Sequence, residues 1–428
     1  MTVSNSPATR RAPLWRHRSF MLLWSGQSVS VMGTAVTSIA LPMTALTTLH
    51  ASAFQVGALA ALGQLPTLLV ALPAGALVDR MRKKPVMLAC DVGRAVLLAS
   101  VPLAAALGVL NMAQLFSVAF LSAALGVFFD AAYQSYVPLL VPSDRLMEAN
   151  GKIGTVEAFS QFAGPSAGGS LVAVLGGART IGFDSLSFAV SAIFLGLIKD
   201  GEKAVRASGS TTGLRAEIAA GLRFVLRHSV IRSVVLCNGA ISYFLAMVTT
   251  AWIVYVVREL GWSPSAAGLV LGISSLGGVV GGIVAKRLVD AYGIPRVLLG
   301  AVLAYAPGEL STIVVPKGVT GQIVVTLAFT LLITAVVIYN VAQRTLRQLL
   351  CPPEMLGRTN ASARWLQWGF MPLGSLTAGA VSSWAGSRTT LLVCVVGLAA
   401  AAALLHLSPV RTASRSLGAE SRELQVAS

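Results

Sequence analysis

Long apolar runs separated by short polar connectors set the pattern of this chain. Residues 54–78 and 85–108 are almost free of charge, and between them stand Asp79, Arg80, Arg82, Lys83 and Lys84. A helix that crosses a membrane needs about 20 mainly apolar residues. The pattern predicts twelve of them. The first six run over 20–46, from 54, from 85, over 112–136, from 151 and over 180–198. The second six run over 230–257, 265–285, 296–315, 319–341, 361–384 and 389–407. The expected fold class is therefore an all-α integral membrane protein of two six-helix bundles, 20–198 and 230–407. An N-terminal segment 1–19, a linker 199–229 and a tail 408–428 flank them. In the linker, Leu214, Ile218, Leu222 and Val225 recur at helical spacing among charges. That predicts an amphipathic helix on the membrane surface.

The two halves repeat. Residues 349–360 match 139–150 at Leu, Leu, Pro, Leu and Asn with an offset of 210; Leu288-Val289-Asp290 matches Leu77-Val78-Asp79 at 211; Pro372 matches Pro165 at 207. Parallel repeats of this kind build transporters whose site lies at the repeat interface. Gly164, Pro165, Gly168, Pro372 and Gly374 are read as helix-packing positions.

Composition agrees. The chain of 428 residues is 55% hydrophobic and 11% charged, whereas a soluble domain carries roughly 25% charge. The formal net charge of +16 suggests nucleic acid until its distribution is seen. Of the 32 Lys and Arg, only Arg179, Arg258, Lys317 and Arg388 fall in connectors on one side, with Arg94 inside a helix. The rest lie on the other side. That is the positive-inside bias of a multi-pass protein with both termini cytoplasmic. The four cysteines have no metal or redox spacing, and the four histidines fall at helix ends. No P-loop, zinc spacing or nucleophile motif occurs, so no enzyme activity, cofactor or metal is expected.

The order Gly75, apolar residues, Asp79, Arg80 and a basic cluster resembles the loop between helices 2 and 3 of the major facilitator superfamily, with Met81-Arg82 in place of the usual x-Gly. Five further segments are similar to the branch with macrolide-efflux proteins and enterobactin exporters. They are Leu23–Ser30, Asp91-Val-Gly-Arg94, Pro142–Asn150, Gly164-Pro165 and Phe183–Phe188. The resemblance implies a bacterial plasma-membrane exporter driven by proton entry, working as a monomer on amphipathic small molecules. It also implies that Asp79 latches the outward-facing state with its basic neighbours.

Ionisable residues inside a membrane are expensive and hence functional candidates. Asp91 and Arg94, at i and i+3, are expected to neutralise each other. With Asp79, Arg80, Arg82, Lys83, Asp130 and Asp290 they form the gating set. Glu157 has no cation within a turn, so it heads the proton-coupling candidates, followed by Asp184 and Glu309. An adaptable apolar cavity would draw on Trp24, Gln27, Met32, Phe128, Tyr133, Gln161, Trp252, Tyr255, Tyr339, Trp365 and Trp368. The function expected is proton-coupled efflux by alternating access. The alternatives are an uptake permease, a lysolipid flippase, and a sensor or scaffold that does not transport; fold does not set direction.

Overall fold

The computed structural model describes residues 14–142, 145–199, 222–351 and 353–411. The first half contains α1 (Arg18–Thr47), α2 (Ala53–Asp79), α3 (Lys83–Ala106), α4 (Met112–Leu140), α5 (Leu146–Leu175) and α6 (Gly177–Leu197). The second contains α7 (Ser229–Arg258), α8 in two pieces (Pro264–Ser274 and Leu276–Tyr292) and α9 in two pieces (Ile294–Val302 and Tyr305–Val314). It ends with α10 (Val319–Leu350), α11 (Pro353–Ala385) and α12 (Ser387–His406). Ten of these helical segments are long and apolar enough to cross a membrane on composition alone. The two that fall short among the described residues, α5 and α11, both run along the boundary between the halves.

The duplication is visible in the helix caps. His17 and His228 each accept the amide of the residue three further on, opening α1 and α7. Ser52 and Ser263 do the same for α2 and α8. Both pairs are 211 residues apart. Gly176 and Gly386, 210 apart, take φ of 81° and 84° before α6 and α12. Only glycine holds that backbone without strain. Four residues on, Thr180 and Thr390 each donate back to that glycine's carbonyl. One match from the sequence fails. With the register fixed at 210 along α5 and α11, Pro372 aligns with Phe162, a turn short of Pro165.

Within the first half α1 packs on α5 and α6, α3 on α4 and α6, and α2 on α4; within the second, α7 packs on α11 and α12, α8 on α10, and α9 on α10 and α12. Side chains such as Val96, Leu103, Ile193 and Val396 stand out on the exterior, more than 60% exposed. An apolar exterior is what a lipid solvent requires. Between helices the chain places small residues: Gly164 meets Ala35, Gly168 meets the Val36 backbone and Gly374 the Tyr243 backbone. All four cysteines are free and buried.

The basic connector folds more tightly than its sequence suggests. α2 continues through Asp79, and α3 begins at Lys83. Lys83 is buried, with Nζ donating to the carbonyls of Val78 (2.7 Å) and Met81 (2.9 Å). Lys84 Nζ donates to the carbonyls of Ile198 and Gly196. The two ammonium groups thus cap the C-terminal ends of α2 and α6, where the helix dipole favours a cation. The second-half copy is not a loop: Lys286, Arg287 and Asp290 lie in the last turns of α8, and the chain turns at Gly293 with φ of 79°. In the linker, 222–227 is helical, and Val225 packs into a small core with Ile231, Val235 and Ala363 rather than facing headgroups. Leu214 and Ile218 lie outside the described residues.

Candidate substrate cavity

The halves touch closely along two seams. In one, α2 meets α11: a Cβ on Gly57 would lie 2.6 Å from the Ser375 carbonyl oxygen and 2.7 Å from Gly379 Cα, and Gln64 Nε2 donates to Ser375 Oγ at 3.2 Å. In the other, α5 meets α8: Gly169 and Gly268 approach so that neither tolerates a Cβ, and Ser166 and Phe162 abut Gly272. Gly57 and Gly268 are 211 apart, Gly169 and Gly379 are 210 apart, so one seam is the image of the other. Both lie towards the membrane face opposite the chain termini. There Arg258, closing α7, also donates to the Ala51 carbonyl before α2. With that end joined, the space between the halves opens towards the face that carries the termini.

On the first-half wall, α1, α4 and α5 enclose a small pocket lined by Trp24, Gln27, Ser28, Val31, Tyr133, Ile153, Val156 and Glu157. Four of the residues singled out from sequence, Trp24, Gln27, Tyr133 and Glu157, therefore converge. Glu157 lies roughly 15 Å along α5 from its terminus-side end at 1.5 Å per residue, about half the thickness of a hydrocarbon core. Its carboxylate is exposed to the cavity, as is Asp130 one turn from Tyr133. Asp130 lies within electrostatic range of Glu157 and Arg94. The space it encloses is about 10 Å³, room for about one water and far below the 300–1,000 Å³ of drug-sized sites, so it is a notch in the wall of the space between the halves.

The second half carries the mates of this wall. Gln27 corresponds to Asn238, Asp130 to Asn340, Tyr133 to Gln343 and Glu157 to Gln367, at offsets of 210 or 211. There Asn238 Nδ2 donates to Gln367 Oε1 (2.8 Å) and Gln343 Nε2 to Asn340 Oδ1 (3.3 Å). The two carboxylates of this wall, Asp130 and Glu157, have become their carboxamides in the second half. Only the Asp130–Asn340 correspondence was legible beforehand; the others needed the 210 register along α11. Trp365 and Trp368, 41% and 40% exposed, stand on α11 beside Gln367.

Other candidates fall elsewhere. Asp91 and Arg94 do not pair. Asp91 is fully buried and accepts from Ser191 Oγ of α6 at 2.6 Å. Arg94 turns to α4, where Nε donates to the Ser122 carbonyl at 3.1 Å and the guanidinium lies 4.8 Å from the Phe188 ring centre. Gly126 leaves the room it needs. Asp184 sits in the α1–α6 seam, bonded by Ser187 Oγ at 2.9 Å, opposite the space left by Gly33. Glu309 is buried in the second half near Cys394, with Oε2 unpartnered among the described residues. Trp252 packs on Trp262 and Phe329, Tyr255 is buried beside it in the same core, and Tyr339 packs on Tyr305. These three are core residues instead of cavity wall. Met32 and Phe128 are half-buried outside the pocket, and Gln161 is exposed one turn from Glu157. Arg80, Arg82 and Asp290 are exposed at the terminus-bearing face. Asp79 closes α2, and its side chain lies outside the described residues.

Comparison with known proteins adds to this geometry. The Major Facilitator Superfamily model matches residues 23–364 and again 234–428. The chain is 28% identical over 403 residues to the multidrug efflux pump Tap of Mycolicibacterium fortuitum, covering 90% of this chain and 92% of that one. It is 23% identical over 385 residues to macrolide efflux protein A of Streptococcus pyogenes, covering 88% and 94%. Among solved structures, the nucleoside transporter NupG superimposes with a TM-score of 0.77 at 12% identity, covering 91% and 98%. A bacterial homologue of the iron transporter ferroportin, in an inward-facing state, gives 0.74 at 15%, covering 92% and 98%. At such identities these two structures speak for the fold alone.

Proposed function

The chain belongs to the Major Facilitator Superfamily, and from that premise we propose that it exports amphipathic small molecules by alternating access, driven by proton entry. One observation carries the reading: a carboxylate-bearing, aromatic pocket half-way through the membrane opens towards the face that bears the termini. Basic residues crowd that face, so the positive-inside bias makes it cytoplasmic. The conformation described is then inward-open, ready to take cargo from the cytoplasm or inner leaflet of a bacterial plasma membrane. The efflux relatives support the direction.

Export requires the two glycine seams to part and the cytoplasmic ends to meet. Arg80, Arg82, Asp79 and Asp290 lie where they would meet. Glu157, with Asp130 beside it, gives up a proton to the cytoplasm and regains one from outside. Coupling follows if proton and cargo prefer different states of the same two-state element. The molecule acts as a monomer, since each chain has both halves of the passage.

The test uses everted membrane vesicles holding the full chain, an imposed proton gradient and a labelled macrolide. Expected are accumulation that a protonophore abolishes and loss of at least tenfold in rate for Glu157→Gln. Accumulation only in right-side-out vesicles would mean uptake. Movement of labelled lysolipid alone would mean a flippase, and no movement of any cargo a sensor. Each of these outcomes overturns the proposal.

A further inference from the structure

We propose that Glu309 is a second proton-binding site, joined to the amide wall of the cavity by a file of buried polar side chains inside the second half. The inference deepens the exporter reading and rests on it for the use made of the proton.

The acid itself is the first observation. Glu309 stands in the outer piece of α9, about 8 Å along the helix from its outer end at 1.5 Å per residue. It is 3% exposed, Oε2 has no hydrogen-bond partner, and no ion pair reaches it among the described residues. The titratable groups that face it are the Cys394 thiol of α12 and Tyr305, one turn back on its own helix. From α10 it is Leu332 that packs on this turn, against Gly308. A carboxylate buried without a cation or a donor is costly, and a bound proton removes the charge.

The second observation is where the unsatisfied polar atoms of this half fall. Gln343 Oε1 and Tyr339 Oη on α10, and Glu309 Oε2 and Thr312 Oγ1 on α9, are all buried without a partner among the described residues. Tyr339 and Gln343 are four apart and share a face of α10; Glu309 and Thr312 are three apart and share a face of α9. The Tyr305 ring lies 5.9 Å from the Tyr339 ring and joins the two pairs. At the inner end of the file, Gln343 Nε2 donates to Asn340 Oδ1, and Asn340 is half-buried at the cavity wall. Buried groups of this kind take ordered water as their partners. On release, the proton passes from the Glu309 carboxyl by Tyr305 and Tyr339 to the Asn340–Gln343 pair, and from there to the cytoplasm-facing cavity. It is replaced from the outer face once that face opens.

The third observation is that the repeat lacks the file. The offset is 210 along α10 and 211 along α9, which starts 211 residues after α3. Tyr339 then corresponds to Phe129, Glu309 to Leu98 and Thr312 to Val101. All three mates are buried and apolar. Tyr305 takes the place of Arg94, and each lies against the ring at the matching position of α10 or α4. Hydrocarbon fills these places in the first half, so the packing of a bundle does not call for polar groups there. A polar line present in one half only, and ending at an acid, suits proton movement.

The experiment has two arms, both on the full chain in lipid. In nanodiscs, dicyclohexylcarbodiimide, which adds to protonated carboxyls in apolar surroundings, is followed by mass spectrometry of the tryptic segment 297–317. Modification of Glu309 is expected, slowing at least about tenfold as the medium is made alkaline. In proteoliposomes, protons moved per labelled macrolide are counted with a trapped pH dye. Glu309→Gln should about halve the count, since Glu157 still supplies its share, and Glu309→Asp should keep it. Tyr339→Phe keeps the ring contact and should slow proton movement about tenfold with cargo binding unchanged. No modification of Glu309 at any pH overturns the site. So does an unchanged proton count in Glu309→Gln, and a lower melting temperature beside it would mark the acid as structural. The two readings fail separately. Proton-driven export with the same count in Glu309→Gln removes this site and leaves the exporter. Modification of Glu309 that follows pH, in a protein that no gradient drives, removes the exporter and leaves the site.

Discussion

At the scale of single residues, membrane-buried charge decides what each acid can do. Asp91 is fully buried, and its one hydrogen bond among the described residues comes from Ser191. Ser191→Ala leaves that carboxyl without a donor, and loss of a buried partner costs about 1–3 kcal/mol. A lower unfolding temperature of the purified protein in detergent is the expected readout, with Ser191→Thr close to the parent. Sequence spacing paired Asp91 with Arg94 because i and i+3 share a helix face. It could not show that Gly126 opens a berth for the guanidinium against α4. The same limit explains Trp252, Tyr255 and Tyr339. In a helix apolar all round, no polar stripe marks the inner face, so an aromatic residue reads alike in core and cavity. Trp24, Gln27, Tyr133 and Glu157 were legible because polar or amphipathic groups are scarce inside such helices and rarely face lipid.

At the scale of helices, the seams decide which face is closed. Gly57→Leu would drive a side chain into the backbone of α11. Such overpacking costs about 1–3 kcal/mol, enough to shift a two-state equilibrium by roughly 5–150-fold. Spin labels at the outer ends of α2 and α11 should report longer distances in Gly57→Leu, and labels at the inner ends shorter ones. Unchanged distances would mean that the seam does not hold this state. Helix number and most boundaries were readable from apolar run length, and the duplication from two matched segments, 139–150 with 349–360 and 77–79 with 288–290. The mutual fit of the glycines was not, because a glycine in an apolar helix carries no sign of its neighbour. Nor could the sequence show that Lys83 and Lys84 curl back as caps, since that depends on where the chain turns.

At the scale of the whole molecule, transport requires the halves to exchange one closed face for the other. Ser166 Cβ lies 3.1 Å from where a Cβ on Gly272 would stand. Movement of the pair towards the 3.5–4.5 Å of a disulfide must also carry the new Cβ off the Phe162 carbonyl oxygen, which stands 2.7 Å from it. With that shift the pair Ser166→Cys with Gly272→Cys should crosslink under mild oxidation and stop transport, and a reductant should restore it. The native cysteines are all buried, so background crosslinking stays low. Activity unaffected by complete crosslinking would show that the α5–α8 contact does not part during the cycle. Two bundles were legible from the repeat; which face they close was not, because both states are built from the same helices.

The interruption of α8 at Ser275 divides that helix between two neighbours. Above it, Gly268 and Gly272 rest on α5; below it, Gly277 and Gly281 rest on the α10 backbone at Thr330 and Thr334. Its counterpart α2 carries Pro66 and Pro73 inside its length, and Pro66 stands 210 residues before Leu276, where the second piece of α8 begins. A proline removes a helix hydrogen bond and bends the axis, so both seam helices have a joint at the same level. Each can peel from its far tip while its lower segment stays anchored, and the two seams match in compliance as they do in their glycines.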